Sequence, residues 1–271
     1  MKPDRIAFYR SAMTGIEAMA ADTVRAFPRH SHEVFGVGLI DRGAQRSLSD
    51  RGSVDAGPGD IIMVNPGEVH DGKPLGHTAR AWRMLYFDPK IVTDMTSDIS
   101  LGAARQIEIT RPAIYDPILS QLFNRLFSAV IDGADVLYRD EACLTVIAHV
   151  VQRHAELKYP KILPAPIARA QALLDDDPSV PHTLAELAAE AGMSRFQILR
   201  GFAHELGLTP HAYQVQRRVA LARRLILAKT PLADAAAISG FADQSHMTRA
   251  FVQRFGVTPG AYARTVAGAV V

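Results

Sequence analysis

Cysteine is almost absent from this chain of 271 residues. Its single Cys143 excludes an intramolecular disulfide, and the neighbours Ala142, Leu144 and Val146 give it the setting of a buried small hydrophobe, not of a nucleophile. Long apolar runs are missing too. The opening stretch MKPDRIAFYRSAMTG contains no apolar core of signal-peptide length, and nowhere is there a run of the ~20 apolar residues that a membrane helix needs. The expectation is a cytoplasmic protein with no membrane partner. Net charge is only +2, and with 48% apolar and 21% charged residues the composition excludes extended disorder. A chain of this length has room for two domains of ordinary size, each able to bury a core.

The small charge surplus is unevenly placed. Residues 1–164 hold 19 Lys and Arg against 20 Asp and Glu, whereas 165–271 hold 11 against 8. Ten of those eleven C-terminal cations are arginine, the side chain whose planar fork suits phosphate and guanine, although solvated helix faces account for many such arginines as well.

What the chain does contain is a repeat. Residues 191–213, AGMSRFQILRGFAHELGLTPHAY, and 240–262, GFADQSHMTRAFVQRFGVTPGAY, match at Phe202 and Phe251, Gly207 and Gly256, Thr209-Pro210 and Thr258-Pro259, and Tyr213 and Tyr262, all 49 apart. Upstream the offset is 48, pairing Leu184, Ala185, Ala188 and Gly192 with Leu232, Ala233, Ala236 and Gly240. The second copy thus has one extra residue in its turn.

Before the repeat the pattern changes twice. Residues 1–23 are mixed and fit an arm or a strand. From Val24 to Phe87 short extended runs (Glu33–Ile40, Gln45–Ser49, Asp60–Val64, Ala81–Phe87) alternate with turns at Asp50-Arg51-Gly52, Gly57-Pro58-Gly59 and Asn65-Pro66-Gly67, the signature of a small β-barrel or sandwich. Three histidines lie in it: His30 and His32 as HSH, and His70 after PGEV. Here the sequence resembles the cupins, with HxH in a first motif and Gly59 to His70 as a second. Metal-binding cupins carry a glutamate a few residues after HxH. This chain has Val37 and Gly38 there, and the nearest acid is Glu33. Three imidazoles can ligate a transition metal without it; otherwise they line the wall of an organic ligand's site. Candidate effector-facing residues are His30, His32, His70, Glu68 and Trp82.

After Phe87 two helices are expected, the first with Ile118, Leu119, Leu122, Leu126 and Ala129 inward, the second, beyond Asp132-Gly133, with Cys143, Ile147, Val150 and Val151. Their stripes would pack on the barrel and on a second copy of the chain, with His149 and His154 solvated. YPKILPAP, residues 159–166, reads as a linker between an effector-binding and dimerisation domain, 1–158, and an all-α domain, 167–271.

In that second domain, Ile167 to Leu174 forms a first helix. Thr183 with Glu186 and Ser194 with Gln197 are capping boxes, and Gly192 is a stop, so 183–206 reads as a helix-turn-helix. Ile198 and Phe202 face inward there, with Gly201 allowing close approach; Arg195, Phe196, Leu199 and Arg200 face outward. In the second unit, 231–255, Thr230-Pro231 opens the first helix, Asp243 caps the second, Met247 and Phe251 face inward, and Gln244, Ser245, His246 and Arg249 face outward. Pro210 to Ala228 is one helix roughly 28 Å long, carrying Arg217, Arg218, Arg223 and Arg224. A spacer of that length sets two reading helices about one duplex turn apart.

On GF, DQSH, R, F, G, TPG and Y in the second copy, the S, R, F and TP of the first, and RVALARRL between them, residues 165–265 resemble the DNA-binding domain of the AraC/XylS family. The resemblance implies an α+β protein of two domains: a cupin-like β-barrel followed by helices, then two helix-turn-helix motifs joined by a long helix. It implies a ligand-responsive, sequence-specific transcriptional regulator and not an enzyme, with no cofactor. Its partners would be double-stranded DNA, a small-molecule effector, a second copy of the chain and, as a further candidate, RNA polymerase. Base-reading positions map onto Phe196, Leu199 and Arg200 in the first copy and Ser245, His246 and Arg249 in the second; Arg195, Gln244, Arg217 and Arg218 would support them on DNA. The alternative is a metal-dependent cupin enzyme or metal sensor using His30, His32 and His70.

Overall fold

A computed structural model describes residues 4–49, 51–76, 78–99, 106–157 and 163–266. The chain divides into two compact units, Met1–Tyr159 and Pro160–Val271.

The first unit opens with nine strands: β1 (Arg5–Tyr9), β2 (Ile16–Thr23), β3 (Phe27–His30), β4 (Phe35–Arg42), β5 (Gln45–Ser49), β6 (Gly52–Ala56), β7 (Asp60–Val64), β8 (His70–Pro74) and β9 (Arg80–Phe87). Helix α1 (Pro89–Ile99), short strands β10 (Ile107–Ile109) and β11 (Ala113–Tyr115), helices α2 (Pro117–Ile131) and α3 (Val136–His154), and strand β12 (Ala155–Leu157) follow. The strands form a six-stranded sheet in the order β1-β2-β9-β4-β7-β11, a four-stranded sheet in the order β3-β8-β5-β6, and the pair β10-β12. All the pairings are antiparallel, and among the described residues hydrogen bonds do not close the two larger sheets into one ring. The mixed segment at the N-terminus supplies β1 and β2, whereas Asp50 of the expected turn lies outside the described residues.

The six-stranded sheet is buried on both faces. Leu85 and Phe87 of β9, with Ile16, Val37, Leu39, Ile61 and Met63, join the helices' Leu119, Phe123, Leu126, Phe127, Cys143, Val146, Ile147 and Val150 in one core. The opposite parity places Trp82 and Met84 of β9 with Met19, Ala21, Ile40 and Ala56 in a second cluster. In α2 the buried stripe is Leu119, Phe123, Leu126, Phe127 and Val130, which follows the 3.6 period. The expected spacing of four from Ile118 drifts off that stripe, and Ile118 is exposed.

His149 and His154 overturn the expectation of solvation. Both are largely buried, and each places Nε2 2.8 Å from the same oxygen, Oδ2 of Asp116, the N-cap of α2. The physical cause is that α3 runs back along α2, so its last turns meet the start of that helix.

The second unit consists of α4 (Ala165–Asp176), α5 (Leu184–Ala191), α6 (Arg195–Leu206), α7 (Pro210–Leu227), α8 (Leu232–Ile238), α9 (Gln244–Phe255) and α10 (Pro259–Val266). Of the expected linker, 159–162 lie outside the described residues, and Ala165 and Pro166 already belong to α4. A proline fits there because first-turn N–H groups have no intrahelical partner to lose. Both expected capping boxes form, at Thr183 with Glu186 and at Ser194 with Gln197, and Gly192 ends α5 at φ 64°. Asp243 caps α9 by accepting from the His246 N–H. Thr230 does not cap α8, whose N-cap is Pro231; its N–H instead bonds Leu225 O at the end of α7.

The repeat has a packing logic. Phe202 meets Tyr213 with ring centroids 5.4 Å apart, and 49 residues on Phe251 meets Tyr262 at 5.5 Å. The extra residue falls in the second turn, where buried Phe241 precedes Ala242. At Gly240, φ is 78° and a Cβ would fall on the backbone of Ser179, so the conformation and the space both demand glycine. Gly201 is similarly tight, since a Cβ would lie 2.8 Å from Ile167 Cδ1.

Candidate effector site and nucleic-acid interface

Strands β3 and β8 pair His30 directly with His70, and the loop after β3 brings in His32. The three rings lie with centroids 4.6 to 5.3 Å apart, and one ring nitrogen from each lies within 4.8 Å of the others. His30 Nδ1 is 2.7 Å from Pro28 O and His70 Nδ1 is 3.0 Å from Glu68 O. A carbonyl only accepts, so Nδ1 carries the proton in both, and in the neutral rings Nε2 presents its lone pair. His30 Nε2 lies 3.2 Å from His32 Nε2. Such a trio can ligate a transition metal or bond a polar ligand.

The positions where a metal-binding cupin carries glutamate are closed. Val37 lies in the core beneath the helices, and a Cβ on Gly38 would collide with Met84 Sδ and stand 2.6 Å from Arg83 O. Among the described residues the trio offers three nitrogen donors with aromatic neighbours: Tyr86 stands 5.2 Å from His32 and Phe27 6.4 Å from His30.

Glu68 turns back into its own loop, accepting from Asn65 Nδ2 at 2.8 Å, while Asn65 also bonds Ile109. Its other oxygen, Oε1, is buried and meets no hydrogen-bond partner among the described residues. Trp82 is buried edge-on to Phe27, and the guanidinium of Arg80 lies 4.6 Å from its ring centroid.

Arg80 is the residue that sequence reasoning missed. It is fully buried, and its bonds go to neutral oxygens: Gln45 Oε1, Arg25 O and Gly72 O. Burial pulls its pKa down to about 10. The available signal was parity, because Arg80 is in phase with Trp82 and Met84 on a strand whose even positions face the space between the sheets.

In the second unit, Arg195, Phe196, Leu199 and Arg200 occupy the exposed side of α6, and Ile198 and Phe202 are buried on the other. Phe196 is 65% exposed and Leu199 38%; the Arg200 guanidinium lies 5.4 Å from the Phe196 ring centroid. On α9, Gln244, Ser245 and Arg249 are exposed. His246 departs from its expected outward position. It is half-buried, its ring edge-on to Phe241 at 5.2 Å, because the longer second turn brings Phe241 against it.

The α7 arginines divide. Arg218 donates to the carbonyls of Pro178, Ser179 and Val180; Arg217 lies 2.9 Å from Asp175 Oδ1; and Arg223 donates to Tyr262. Arg224 is exposed. Arg217 and Arg218 are thus engaged within the protein, whereas the sequence reading places them on phosphates.

Residues 11–144 match the family described as the AraC-like ligand binding domain, and residues 187–265 match a helix-turn-helix domain. The chain belongs to the AraC-type transcriptional regulators. As such it is a ligand-responsive, DNA-binding regulator. Relatives of this AraC-type regulator are regulators too. It is 23% identical over 227 residues to the HTH-type transcriptional regulator YbfI of Bacillus subtilis, covering 83% of this chain and 82% of that one. It is 30% identical to the virulence regulon transcriptional activator VirF of Yersinia enterocolitica, covering 53% of this chain and 55% of that one. In fold it resembles ToxT from Vibrio cholerae, with TM-score 0.58 at 13% identity, over 99% of this chain and 100% of that one. No helix among the described residues is long and apolar enough to cross a membrane.

Proposed function

We propose that this regulator, working in the cytoplasm, takes its effector between the two sheets beside His30, His32, His70 and Trp82. It pairs with a second copy through α2 and α3, and reads DNA with the exposed faces of α6 and α9. The observation that carries the DNA reading is the duplicated exposed face: two capped helices with matched buried pairs, each turning arginine and further side chains outward. Arg200 and Arg249 would fork onto guanines, Phe196 and Leu199 would meet thymine methyls, and Arg195, Gln244, Ser245 and Arg224 would bond bases or phosphates. Self-association is supported by Leu137 and Leu144, both exposed and seven apart on α3, with Val136 and Tyr138 exposed beside Leu137. RNA polymerase would be engaged once the pair is seated on a promoter.

Binding to a randomised site library tests this. Arg249→Ala should lose about 1 to 3 kcal/mol of discrimination at one base position; an unchanged preference at every position refutes the assignment.

A second reading makes the regulator a metal sensor at His30, His32 and His70, and the two Nδ1 anchors favour it. Stoichiometric metal in the purified protein, lost in His30→Ala and His70→Ala, would establish it; metal-free protein that still responds to an organic effector would exclude it.

A further inference from the structure

Three groups outside both proposed sites converge where α2 begins and α3 ends. Asp116 is the N-cap of α2, and its Oδ1 accepts the Leu119 N–H at 2.9 Å, so the carboxylate is pinned with Oδ2 turned towards α3. His149 and His154 both bring Nε2 to 2.8 Å from that oxygen, their ring centroids 5.7 Å apart. One donor atom from each of the three lies within 4.8 Å of the others. The side chains are only 14%, 12% and 11% exposed.

We propose that Asp116, His149 and His154 form a binding site for a divalent transition-metal ion. Two imidazole nitrogens and one carboxylate oxygen suit zinc, iron, cobalt or nickel, and disfavour magnesium and calcium, which take oxygen ligands. Metal–ligand bonds of about 2.0 to 2.2 Å hold donor atoms roughly 3.3 Å apart around a tetrahedral ion, so the 2.8 Å contacts need open by only about half an ångström. On binding, each imidazole carries its proton on Nδ1 and gives its Nε2 lone pair to the ion. Without the ion, ionised Asp116 can only accept, so both rings hold a proton on Nε2; binding displaces that proton and leaves one on Nδ1, and Nδ1 of His154, buried and without a hydrogen-bond partner among the described residues, has no existing bond that this must break. Asp116 already favours its ionised form. Burial pushes its pKa up, but the Leu119 N–H and the two imidazoles outweigh burial and hold it well below the usual carboxylate range.

The ion would tie the start of α2 to the end of α3, and through His154 O, which accepts the Thr110 N–H, to the β10–β12 pair. It would therefore stiffen the helical layer of the effector domain.

The test uses the full chain, stripped with a chelator and titrated with Co2+ alone, then with Zn2+ as competitor. The expectation is one Co2+ per chain with a visible d–d band, displaced by Zn2+, and a melting temperature that rises with Zn2+. His149→Ala and His154→Ala should each weaken Co2+ binding at least about tenfold, and a chain carrying both His30→Ala and His70→Ala, which has no competing histidine trio, should still bind one Co2+ with a visible band. Asp116→Asn guards against misfolding, because asparagine caps a helix as well as aspartate does; it should fold and lose the band. A band absent from the parent protein, one that survives in folded Asp116→Asn, or one abolished by the His30 and His70 changes would overturn the proposal.

Discussion

Two phenylalanines on α6 make a sharp experiment, because Phe196 and Phe202 share a helix and face opposite ways. Phe202 is fully buried in the cluster with Ile167, Leu174, Leu187 and Ile198. Truncating it to alanine should cost about 3 to 5 kcal/mol of folding stability, the transfer of a whole ring plus the cavity left behind. Phe196 is 65% exposed, and the Arg200 guanidinium lies over its ring. Phe196→Ala gives up at most an exposed cation–π contact, about 0.5 to 1 kcal/mol. On DNA the order reverses. If Phe196 covers a thymine methyl, losing that contact costs about 0.8 kcal/mol, roughly a fourfold drop in preference at one position. Denaturant unfolding and randomised-site binding read the two effects separately. If Phe196→Ala unfolded as readily as Phe202→Ala, Phe196 would be a packing residue; if the site preference of folded Phe196→Ala were unchanged, α6 would not be reading bases with that face.

Arg218→Ala should destabilise the second unit by about 1.5 to 3 kcal/mol, since a charged donor to three carbonyls is lost. Arg224→Ala should leave unfolding unchanged and lower the salt dependence of DNA binding by about one counterion; the same denaturation and salt series, run on both variants, would show the opposite division if Arg218 served phosphate. Gly240→Ala should cost at least about 2 kcal/mol, because its backbone is left-handed and its Cβ meets Ser179; a melting curve like the parent's would rule this out. Asp116 has a lowered folded pKa, so its share of stability is complete above its unfolded pKa of about 3.9 and is given up as pH falls through its lower folded pKa. Acid unfolding below about pH 4 should be shallower in Asp116→Asn, and an unchanged profile would count against the buried pairing.

The second unit was legible in unusual detail because its signals are local: caps, left-handed glycines and a 3.6-residue stripe all act within a few positions. Thr183, Ser194, Gly192 and Asp243 do what their neighbours imply. What was not legible depends on residues far apart in sequence. His149 looks solvated beside its helix neighbours, and only the return of α3 along α2 brings it to Asp116, 33 positions away. Arg218 sits in a basic run that suggests phosphate, but its partners are carbonyls about 40 positions upstream. Arg80 stands one residue outside the expected strand Ala81–Phe87, and the second sheet that buries it is assembled from β3, β5, β6 and β8, none of them its neighbour in the six-stranded sheet. The three barrel histidines were visible as a motif; the tautomers of His30 and His70, set by Pro28 and Glu68, were not.

The segment 177–180 is held from both sides: Arg218 of the long helix grips its carbonyls, and Gly240 of the second helix-turn-helix lies against Ser179. Through Ser179 these contacts join α7 to the turn before α9, so if α6 and α9 read DNA as proposed, they would do so as the jaws of a fixed caliper. Such an instrument would measure phase as well as sequence. With 10 to 10.5 base pairs to each turn of about 34 to 36 Å, inserting one base pair between the two contacted elements swings one of them about 34° around the duplex, and a caliper without a hinge cannot follow it.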